Sequence, residues 1–317
     1  MTHEELGRLY ETLQKEMKKV IVGQDRVIEE LAVCFFSGGH ALLEGVPGTA
    51  KTLLSRTLSW LLKGQFSRIQ FTPDLMPSDV VGTHIFDMKT QEFKLQKGPV
   101  FTNFLLADEI NRTPPKTQSA LLEAMEERQA TIEGETIKLP EPFMVCATEN
   151  PLEFEGTYPL PEAQLDRFMM KILISYPSFD EEREVIRKHH EGFDARDLAR
   201  AGINPLGREA FDGAGELIRR VSVTEPLIDY VTELVRATRK SSQLSMGASP
   251  RGSVQLLLSS KTLAALKGRD YVIPDDVKAL VCPVLRHRVM VKAEAEIDGI
   301  TADSVLKGIV AQVNVPR

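Results

Sequence analysis

The chain has 317 residues, 42% of them hydrophobic and 26% charged, with a net charge of −6 and a pI of about 5.7. This acidic balance gives no support to broad nucleic-acid binding, and no apolar run approaches the roughly 20 residues of a membrane-spanning helix. The N-terminus lacks an apolar signal core, and three scattered cysteines fit neither a disulfide framework nor a metal site. We therefore expect a globular, cytoplasmic protein with buried thiols.

The first part of the chain alternates helical and strand patterns. Apolar residues at helical spacing predict helices over residues 4–20, 26–36 (capped by Asp25), 53–62 and 116–128. Short apolar runs predict strands at residues 41–43, 68–72, 104–107, 143–148 and 171–175. Alternating patterns around Lys89-Thr90 and Glu133-Gly134-Glu135 predict two β-hairpins, at residues 84–95 and 130–139.

After Pro177 the pattern becomes mostly helical, without long apolar strands. The candidate helices are residues 180–191, 208–220, 225–240, 250–266 and 274–286. This change predicts two domains, an α/β domain over residues 1–177 and a helical domain over residues 178–317.

A glycine-containing loop joins the first strand to the helix that follows it. Gly45-Val46-Pro47-Gly48-Thr49-Ala50-Lys51-Thr52 has the strand–loop–helix context of a phosphate-binding loop. Its backbone N–H groups would face phosphate oxygens, Lys51 would supply a charge for the β- and γ-phosphates, and Thr52 a hydroxyl for Mg²⁺. Ala50 departs from the pattern, which has glycine there. For this segment alone, an ordinary strand-to-helix turn is the alternative.

Two acidic residues end the apolar run at residues 104–107. Asp108 and Glu109 are expected at the carboxyl end of a buried parallel strand, where open α/β sheets bind ligands. Asp108 is placed to hold Mg²⁺, directly or through water, and Glu109 to polarise the attacking water. With the glycine loop, the pair predicts a site for ATP and Mg²⁺.

Longer runs resemble those of the AAA+ ATPases and, within them, the MoxR group. They are residues 109–118 (EINRTPPKTQ), 121–127 (LLEAMEE), 147–151 (ATENP), 155–168 (EGTYPLPEAQLDRF) and 249–252 (SPRG). The resemblance covers essentially the whole chain. It implies an α/β P-loop AAA+ core, with a parallel sheet flanked by helices, followed by a small all-α lid domain. One departure is Glu149, where the group commonly has glutamine; its carboxylate would either alter turnover or face away.

The resemblance implies roles for individual residues. Asn150 would orient the attacking water beside Glu109, although the local sequence equally fits a turn-capping asparagine. Arg167 resembles the arginine finger that acts on a neighbouring subunit's ATP, and a surface ion pair with Asp166 is its alternative. Arg251 resembles the second sensor, which contacts the γ-phosphate from the lid; an ordinary first-turn helix residue is the alternative.

Other segments have expected roles by the same resemblance. Val22 and Gly23 match the segment that packs on adenine, with a plain helix-ending turn as the alternative. Arg112 is a weaker candidate for a trans contact. The hairpins, an insert at residues 83–97 and another at 130–139, resemble those of the helix-2-insert branch, which usually point toward a central pore or a partner. Ordinary solvated hairpins are the alternative.

The implied function is Mg²⁺-dependent ATP hydrolysis. The chain would self-associate into a ring, expected to be a hexamer, and hydrolysis would change the angle between the two domains of each subunit near residue 177. It would drive chaperone-like remodelling of a partner that often carries a von Willebrand type A domain. Three alternatives stay open: the ATPase subunit of a metal chelatase, a nucleic-acid motor, and a nucleotide-gated scaffold with slow hydrolysis. The acidic balance and the anionic turn at residues 133–135 disfavour nucleic acid.

Overall fold

A computed structural model describes residues 1–150 and 156–316 of the chain. Pro151 and Glu155, which belong to the MoxR-like runs, and the terminal Arg317 lie outside the described residues. In chain order the strands are β1 (Ala41–Gly45), β2 (Phe66–Gln70), β3 (Gly82–Asp87), β4 (Glu92–Lys97), β5 (Phe104–Asp108), β6 (Gln129–Ile132), β7 (Glu135–Lys138), β8 (Met144–Glu149), β9 (Met170–Ile174), β10 (Leu244–Met246) and β11 (Met290–Val291).

The helices surround the sheet and form most of the C-terminal half. They are α1 (His3–Lys18), α2 (Asp25–Phe36), α3 (Lys51–Leu61), α4 (Pro77–Val81), α5 (Pro115–Glu127), α6 (Glu162–Leu165), α7 (Phe179–His190), α8 (Ala214–Arg220), α9 (Glu225–Thr238), α10 (Pro250–Leu266), α11 (Pro274–Leu285), α12 (Ala293–Ile297) and α13 (Ala302–Gln312). Short 3₁₀ turns follow β5 and precede α8.

The central sheet has five strands in the order β2-β5-β8-β1-β9, and all neighbouring strands are parallel. Because side chains alternate across a strand, each strand supplies both faces of the sheet. On β1, Ala41 and Leu43 pack with α1, α2 and the C-terminal helices, whereas Leu42 packs with α4 and α5. The strands are therefore buried on both sides, as their continuous apolar runs predict.

The predicted strands and both hairpins are confirmed, with ends that shift by one or two residues. The interpretation of Asp25 as a helix cap is wrong, because Gln24 is the cap and Asp25 already lies in the first turn of α2. The predicted helix at residues 208–220 is also wrong as a single element. Gly213, at φ 86°, separates a 3₁₀ turn from α8, a backbone state that suits glycine and ends a helix.

The sequence analysis missed α12 and α13, the second of which begins with a capping box at Thr301. The central sheet ends at Ile174 and α7 begins at Phe179, close to the expected boundary at residue 177. One hydrophobic cluster nevertheless includes residues from both sides of that position, such as Leu6 of α1 and Leu263 of α10. The division into 1–177 and 178–317 stays a prediction.

Candidate functional site

The carboxyl edge of the sheet brings together the motifs that lie far apart in the sequence. Gly45 ends β1, Asp108 ends β5, and Asn150 directly follows β8, the strand between them. All three strands are parallel, so the glycine loop, the acidic pair and Asn150 lie at one edge. This is the edge at which open α/β sheets bind ligands.

The glycine loop has the backbone that phosphate binding needs. Gly48 has φ 84° and Ala50 φ 64°, so the alanine that replaces the expected glycine adopts the left-handed conformation. Among the described residues, no side-chain hydrogen bond caps the N-terminus of α3 at Ala50. The N-terminus of a helix is a favourable place for a phosphate. The Thr49 hydroxyl donates a 2.8 Å hydrogen bond to the Val46 carbonyl, and the Lys51 ammonium donates to the Gly45 carbonyl.

A cavity of about 600 Å³ opens beside this loop, a size typical of small-molecule sites. Residues 48–53 line one end of it, and Val22 lies on its apolar wall. The role of Val22 in packing on adenine stays a prediction. The wall also includes side chains that the sequence analysis did not select: Val20, Ile21, Tyr176, Pro177, Val185 and Phe193. The cavity therefore offers an apolar surface for a base and backbone donors for phosphates.

Gly23 is not among the described residues that line the cavity, but it lies close to the helix that does. It has φ 70°, and a Cβ at this position would overlap the carboxyl group of Glu181. Glu181 belongs to the capping box at the start of α7, the helix that supplies Val185 to the cavity wall. Gly23 thus allows the loop before α2 to approach α7 closely.

Asp108 has a different partner on each carboxylate oxygen. The Thr148 hydroxyl donates a 2.6 Å hydrogen bond to Oδ1. The Arg68 guanidinium donates to Oδ2 through two nitrogens, at 2.6 and 3.1 Å. Thr148 also accepts the Glu109 N–H at 2.8 Å, so a fully buried hydroxyl on β8 holds both acidic residues.

Glu109 has an unusual backbone and two side-chain partners. Its φ is 56° and its ψ 52°, a left-handed conformation that L-residues other than asparagine and aspartate rarely adopt. Its Oε2 accepts hydrogen bonds from Gln70 at 2.8 Å and from Arg112 at 3.0 Å. Strained residues of this kind cluster at functional sites. In this structure Arg112 contacts Glu109 of its own chain, while its candidate role in trans stays a prediction.

Asn150 is buried and lies two residues after Thr148, at the expected edge of the sheet. Glu149 lies on the opposite face of β8 from Thr148, level with Glu44 of β1. Burial raises the pKa of Glu149, nearby Lys171 opposes this, and Glu44 adds to it. The extra carboxylate thus faces away from Asp108, one of the two readings that the sequence left open.

The two remaining arginines contact α5 rather than the cavity. Arg167 donates a 2.7 Å hydrogen bond to the Leu122 carbonyl, and Arg251 pairs with Glu126 at 2.9 Å. Asp166 pairs with Arg288 at 2.7 Å and lies 3.9 Å from Arg251, so the alternative of an ion pair between Asp166 and Arg167 finds no support in these contacts. Neither Arg167 nor Arg251 is among the described residues that line the cavity.

The residues present fit a magnesium nucleotide. Thr52 and Asp108 offer hard oxygen ligands, the type that Mg²⁺ prefers, and Mg²⁺ commonly takes its other ligands from water and substrate phosphates. In residues 1–150 and 156–316 no group of three or more His, Cys, Asp or Glu side chains could hold a metal by itself. The three cysteines, Cys34, Cys146 and Cys282, are buried free thiols, as expected. None of the described helices has the length and apolar character for a bilayer crossing.

Comparison with known proteins agrees with this geometry. Residues 40–170 match the "ATPase family associated with various cellular activities (AAA)", and residues 236–309 match the AAA lid domain. A crystal structure of a candidate ATPase from Cytophaga hutchinsonii superposes with a TM-score of 0.89 at 42% identity, covering 99% of this chain and 98% of that one. The expected fold class, an AAA+ core with a helical lid, is confirmed.

Two relatives with known family names show which family the chain belongs to. Chaperone MoxR1 of Mycobacterium tuberculosis is 46% identical, over 95% of this chain and 81% of the relative. Protein MoxR of Methylorubrum extorquens is 30% identical, over 88% of this chain and 87% of the relative. Membership of an AAA family implies nucleotide binding. The chain therefore belongs to the MoxR family of AAA+ ATPases.

Proposed function

We propose that the chain hydrolyses ATP in the presence of Mg²⁺ and uses the resulting motion to remodel a partner protein. The main support is that the glycine loop and the Asp108–Glu109 pair lie at one edge of the sheet, with the cavity beside the loop. The chaperone name of the MoxR1 relative supports the second half of the proposal.

Each residue has a defined task in this proposal. When bound, Mg²⁺ neutralises charge on the phosphate oxygens, and Thr52 and Asp108 are its protein ligands. Lys51 exchanges the Gly45 carbonyl for the β- and γ-phosphates. Glu109 orients and polarises the attacking water, and Asn150 holds the same water through its amide.

Arg167 is proposed to serve a neighbouring subunit in a ring, with a hexamer as the expected assembly. Its present bond to the Leu122 carbonyl would be exchanged for a γ-phosphate oxygen of the neighbour. A mixing experiment tests this. Arg167→Ala and Lys51→Ala should each be inactive alone, yet recover hydrolysis when mixed, since each supplies what the other lacks. Without recovery, the role in trans is wrong.

Arg251 is proposed to couple nucleotide binding to the position of the lid domain. Its ion pair with Glu126 joins α10 to α5, so a move toward the γ-phosphate requires this pair to open. Such a move would rotate the lid about the segment near residue 177. Arg251→Ala should lower hydrolysis, whereas Glu126→Gln should not, because it only frees Arg251. Equal losses in both variants would assign Arg251 to domain packing alone.

The insert hairpin β3–β4 is the surface proposed to contact the partner. It exposes large apolar side chains: Ile85, Phe86, Met88 and Phe93, of which Phe93 is 72% exposed. Exposed apolar clusters of this kind mark interaction sites. The double variant Phe86→Ser/Phe93→Ser should lose partner capture and retain ATP hydrolysis. Ile297→Ser is the control, since Ile297 is 86% exposed on α12.

A trapping experiment tests the proposal as a whole. Glu109→Gln should bind ATP and hydrolyse it at least about 100-fold more slowly, whereas Lys51→Ala should not retain ATP. Glu11→Gln removes the same charge from an exposed position of α1 and serves as the control. Proteins that co-purify with the trap alone would be partners, and we expect a von Willebrand type A domain among them. Recovery of DNA would favour a nucleic-acid motor, and recovery of a chelatase subunit would favour that role.

A further inference from the structure

We propose that Arg68 is a displaceable counter-ion on the magnesium-binding oxygen of Asp108, and that it sets the metal concentration at which the site fills. This inference rests on the proposed nucleotide site. It concerns a side chain of β2 that none of the sequence motifs includes.

The two partners of Asp108 differ in how easily they can leave. The Thr148 hydroxyl on Oδ1 is fully buried. The Arg68 side chain on Oδ2 is 49% exposed, so it can turn into solvent. Oδ2 is therefore the oxygen that a metal ion can reach, while Thr148 keeps Oδ1 in place.

The geometry of the Arg68–Asp108 ion pair also indicates a weak contact. Both Arg68 donors, at 2.6 and 3.1 Å, contact the same oxygen of Asp108. In another ion pair of the chain, Arg286 donates to both oxygens of Asp303, at 2.8 and 2.9 Å, and Arg286 is itself almost fully buried. The two-oxygen fork is the stronger arrangement, so the Arg68 contact is the easier one to exchange.

Charge opposes contact of both cations with Oδ2 at the same time. A guanidinium stays protonated in proteins, and it cannot share a carboxylate oxygen with a divalent cation without strong repulsion. Arg68 thus competes with the metal for Oδ2. The expected effect is weaker metal binding than Asp108 alone would give.

Arg68 further connects Asp108 to Glu109. Arg68 Nη2, one of the two nitrogens that contact Asp108, also donates to Gln70 Oε1 at 2.8 Å. Gln70 Nε2 in turn donates to Glu109 Oε2 at 2.8 Å. When Arg68 leaves, the Gln70 amide loses the partner that fixes its orientation. Metal occupancy and the position of Glu109 are therefore linked through these two side chains of β2.

Metal binding without turnover tests the inference. Mn²⁺, which accepts the same hard ligands, is titrated into protein with ADP while electron paramagnetic resonance reports the free ion. The neutral variants Arg68→Gln and Arg68→Met should bind Mn²⁺ about threefold to tenfold more tightly than the wild type. Arg68→Lys keeps the charge and should stay within about twofold of the wild type.

The control is Arg220→Gln, which removes the same charge from an exposed ion pair with Glu216 on α8. Unchanged or weaker Mn²⁺ binding in the neutral variants would overturn the inference. Two neutral variants are used because one of them could fail to fold, and thermal unfolding identifies such a failure.

Lys51→Ala separates this result from the proposed function. If Mn²⁺ and ADP bind equally well to Lys51→Ala and to the wild type, the nucleotide site itself is wrongly assigned. If binding depends on Lys51 but not on Arg68, only the counter-ion role fails.

Discussion

The hydroxyl of Thr148 joins the two acidic residues of the site, because it donates to Oδ1 of Asp108 at 2.6 Å and accepts the Glu109 N–H at 2.8 Å. A hydroxyl suits this task, since it donates and accepts at once. Thr148 lies on β8 and reaches β5 because the two strands are neighbours in the sheet. It is a positioning residue that acts through Asp108 and Glu109.

Replacement of Thr148 by valine keeps the shape of the side chain and removes both hydrogen bonds. We expect the hydrolysis rate to fall about 10- to 100-fold, as for other residues that orient metal ligands. Mn²⁺ affinity in the presence of ADP should fall as well, an effect that a purely structural role would not produce. Thr148→Ser should restore both. Steady-state phosphate release and Mn²⁺ titration measure the two effects.

Thr57 provides a matched control for that experiment. It is also a fully buried threonine, and its hydroxyl has no hydrogen-bond partner within the described residues. Thr57→Val should leave hydrolysis unchanged, and stability should stay the same or rise. If Thr57→Val lowers the rate as much as Thr148→Val, the effect of the latter would reflect general disturbance of the core.

Ala50 gives a second prediction, because its φ of 64° is costly for a residue with a Cβ. Ala50→Gly should stabilise the protein slightly, by about 0.5–1 kcal/mol, since relief of strain exceeds the entropy that glycine adds to the unfolded chain. Ala50→Val should destabilise it and weaken nucleotide binding, because a β-branched residue fits this conformation worst. Chemical denaturation and ADP titration measure both. Equal stability of all three proteins would contradict the strained loop.

Substitutions at Gly23 and Gly38 distinguish the cost of backbone strain from the cost of a steric overlap. Both glycines have φ 70°, but a Cβ at Gly38 would meet no atom of the described residues within 4 Å, whereas one at Gly23 would overlap Glu181. Gly38→Ala should therefore cost only the strain, less the entropy that alanine removes from the unfolded chain, which leaves about 0.5–1 kcal/mol of stability. Gly23→Ala should cost more, because the Glu181 carboxyl would have to leave the Ser178 N–H from which it accepts a hydrogen bond at the start of α7.

The double variant Gly23→Ala/Glu181→Ala completes this test. Glu181→Ala removes both the overlap and the hydrogen bond of the capping box, so in that background Gly23→Ala should cost no more stability than Gly38→Ala does. Chemical denaturation gives the comparison. A larger cost of Gly23→Ala in the Glu181→Ala background would mean that Glu181 is not the obstacle.

The sequence predicts those parts of the candidate site whose residues are adjacent to one another in the chain. The loop 45–52 and the Asp108–Glu109 pair are local patterns, and the rule that parallel strands bind ligands at their carboxyl edge brings them together. The family resemblance also selects Val22, which lies in the cavity wall, and its contact with adenine stays a prediction. These predictions need no knowledge of strand register.

The residues that the sequence analysis missed depend on register and packing. Arg68 and Thr148 reach Asp108 from β2 and β8, the strands on either side of β5. Each is separated from Asp108 by 40 positions in the chain. Thr148 belongs to the run 147–151, but that run does not indicate a contact with Asp108, and Arg68 belongs to none of the runs. Tyr176 and Phe193 line the cavity only because α7 and its flanking segments fold back beside the glycine loop. Such contacts are properties of the tertiary structure.

The last prediction concerns acid stability and arises from His40. This buried ring accepts the Val145 N–H on Nδ1 at 2.9 Å, and its Nε2 lies 3.2 Å from the Met125 carbonyl. A backbone N–H can only donate, so Nδ1 must be unprotonated in the folded state. Burial, followed by the charge of Arg128, lowers the pKa of His40 to about 3.

Because the unfolded ring has a pKa near 6.5, the unfolded state binds the additional proton between about pH 6.5 and pH 3. The free energy of unfolding should thus fall as the pH is lowered through this range, by up to about 1.4 kcal/mol per pH unit for this group. His287 adds to the slope, since burial and then Arg288 lower its pKa as well. His40→Gln should be less stable than the wild type at pH 8 and show a shallower slope. Urea unfolding from pH 8 to pH 5 measures the slope. The control is His190→Gln, at an exposed position, which should keep the wild-type slope. An unchanged slope in His40→Gln would show that His40 titrates normally in the folded protein.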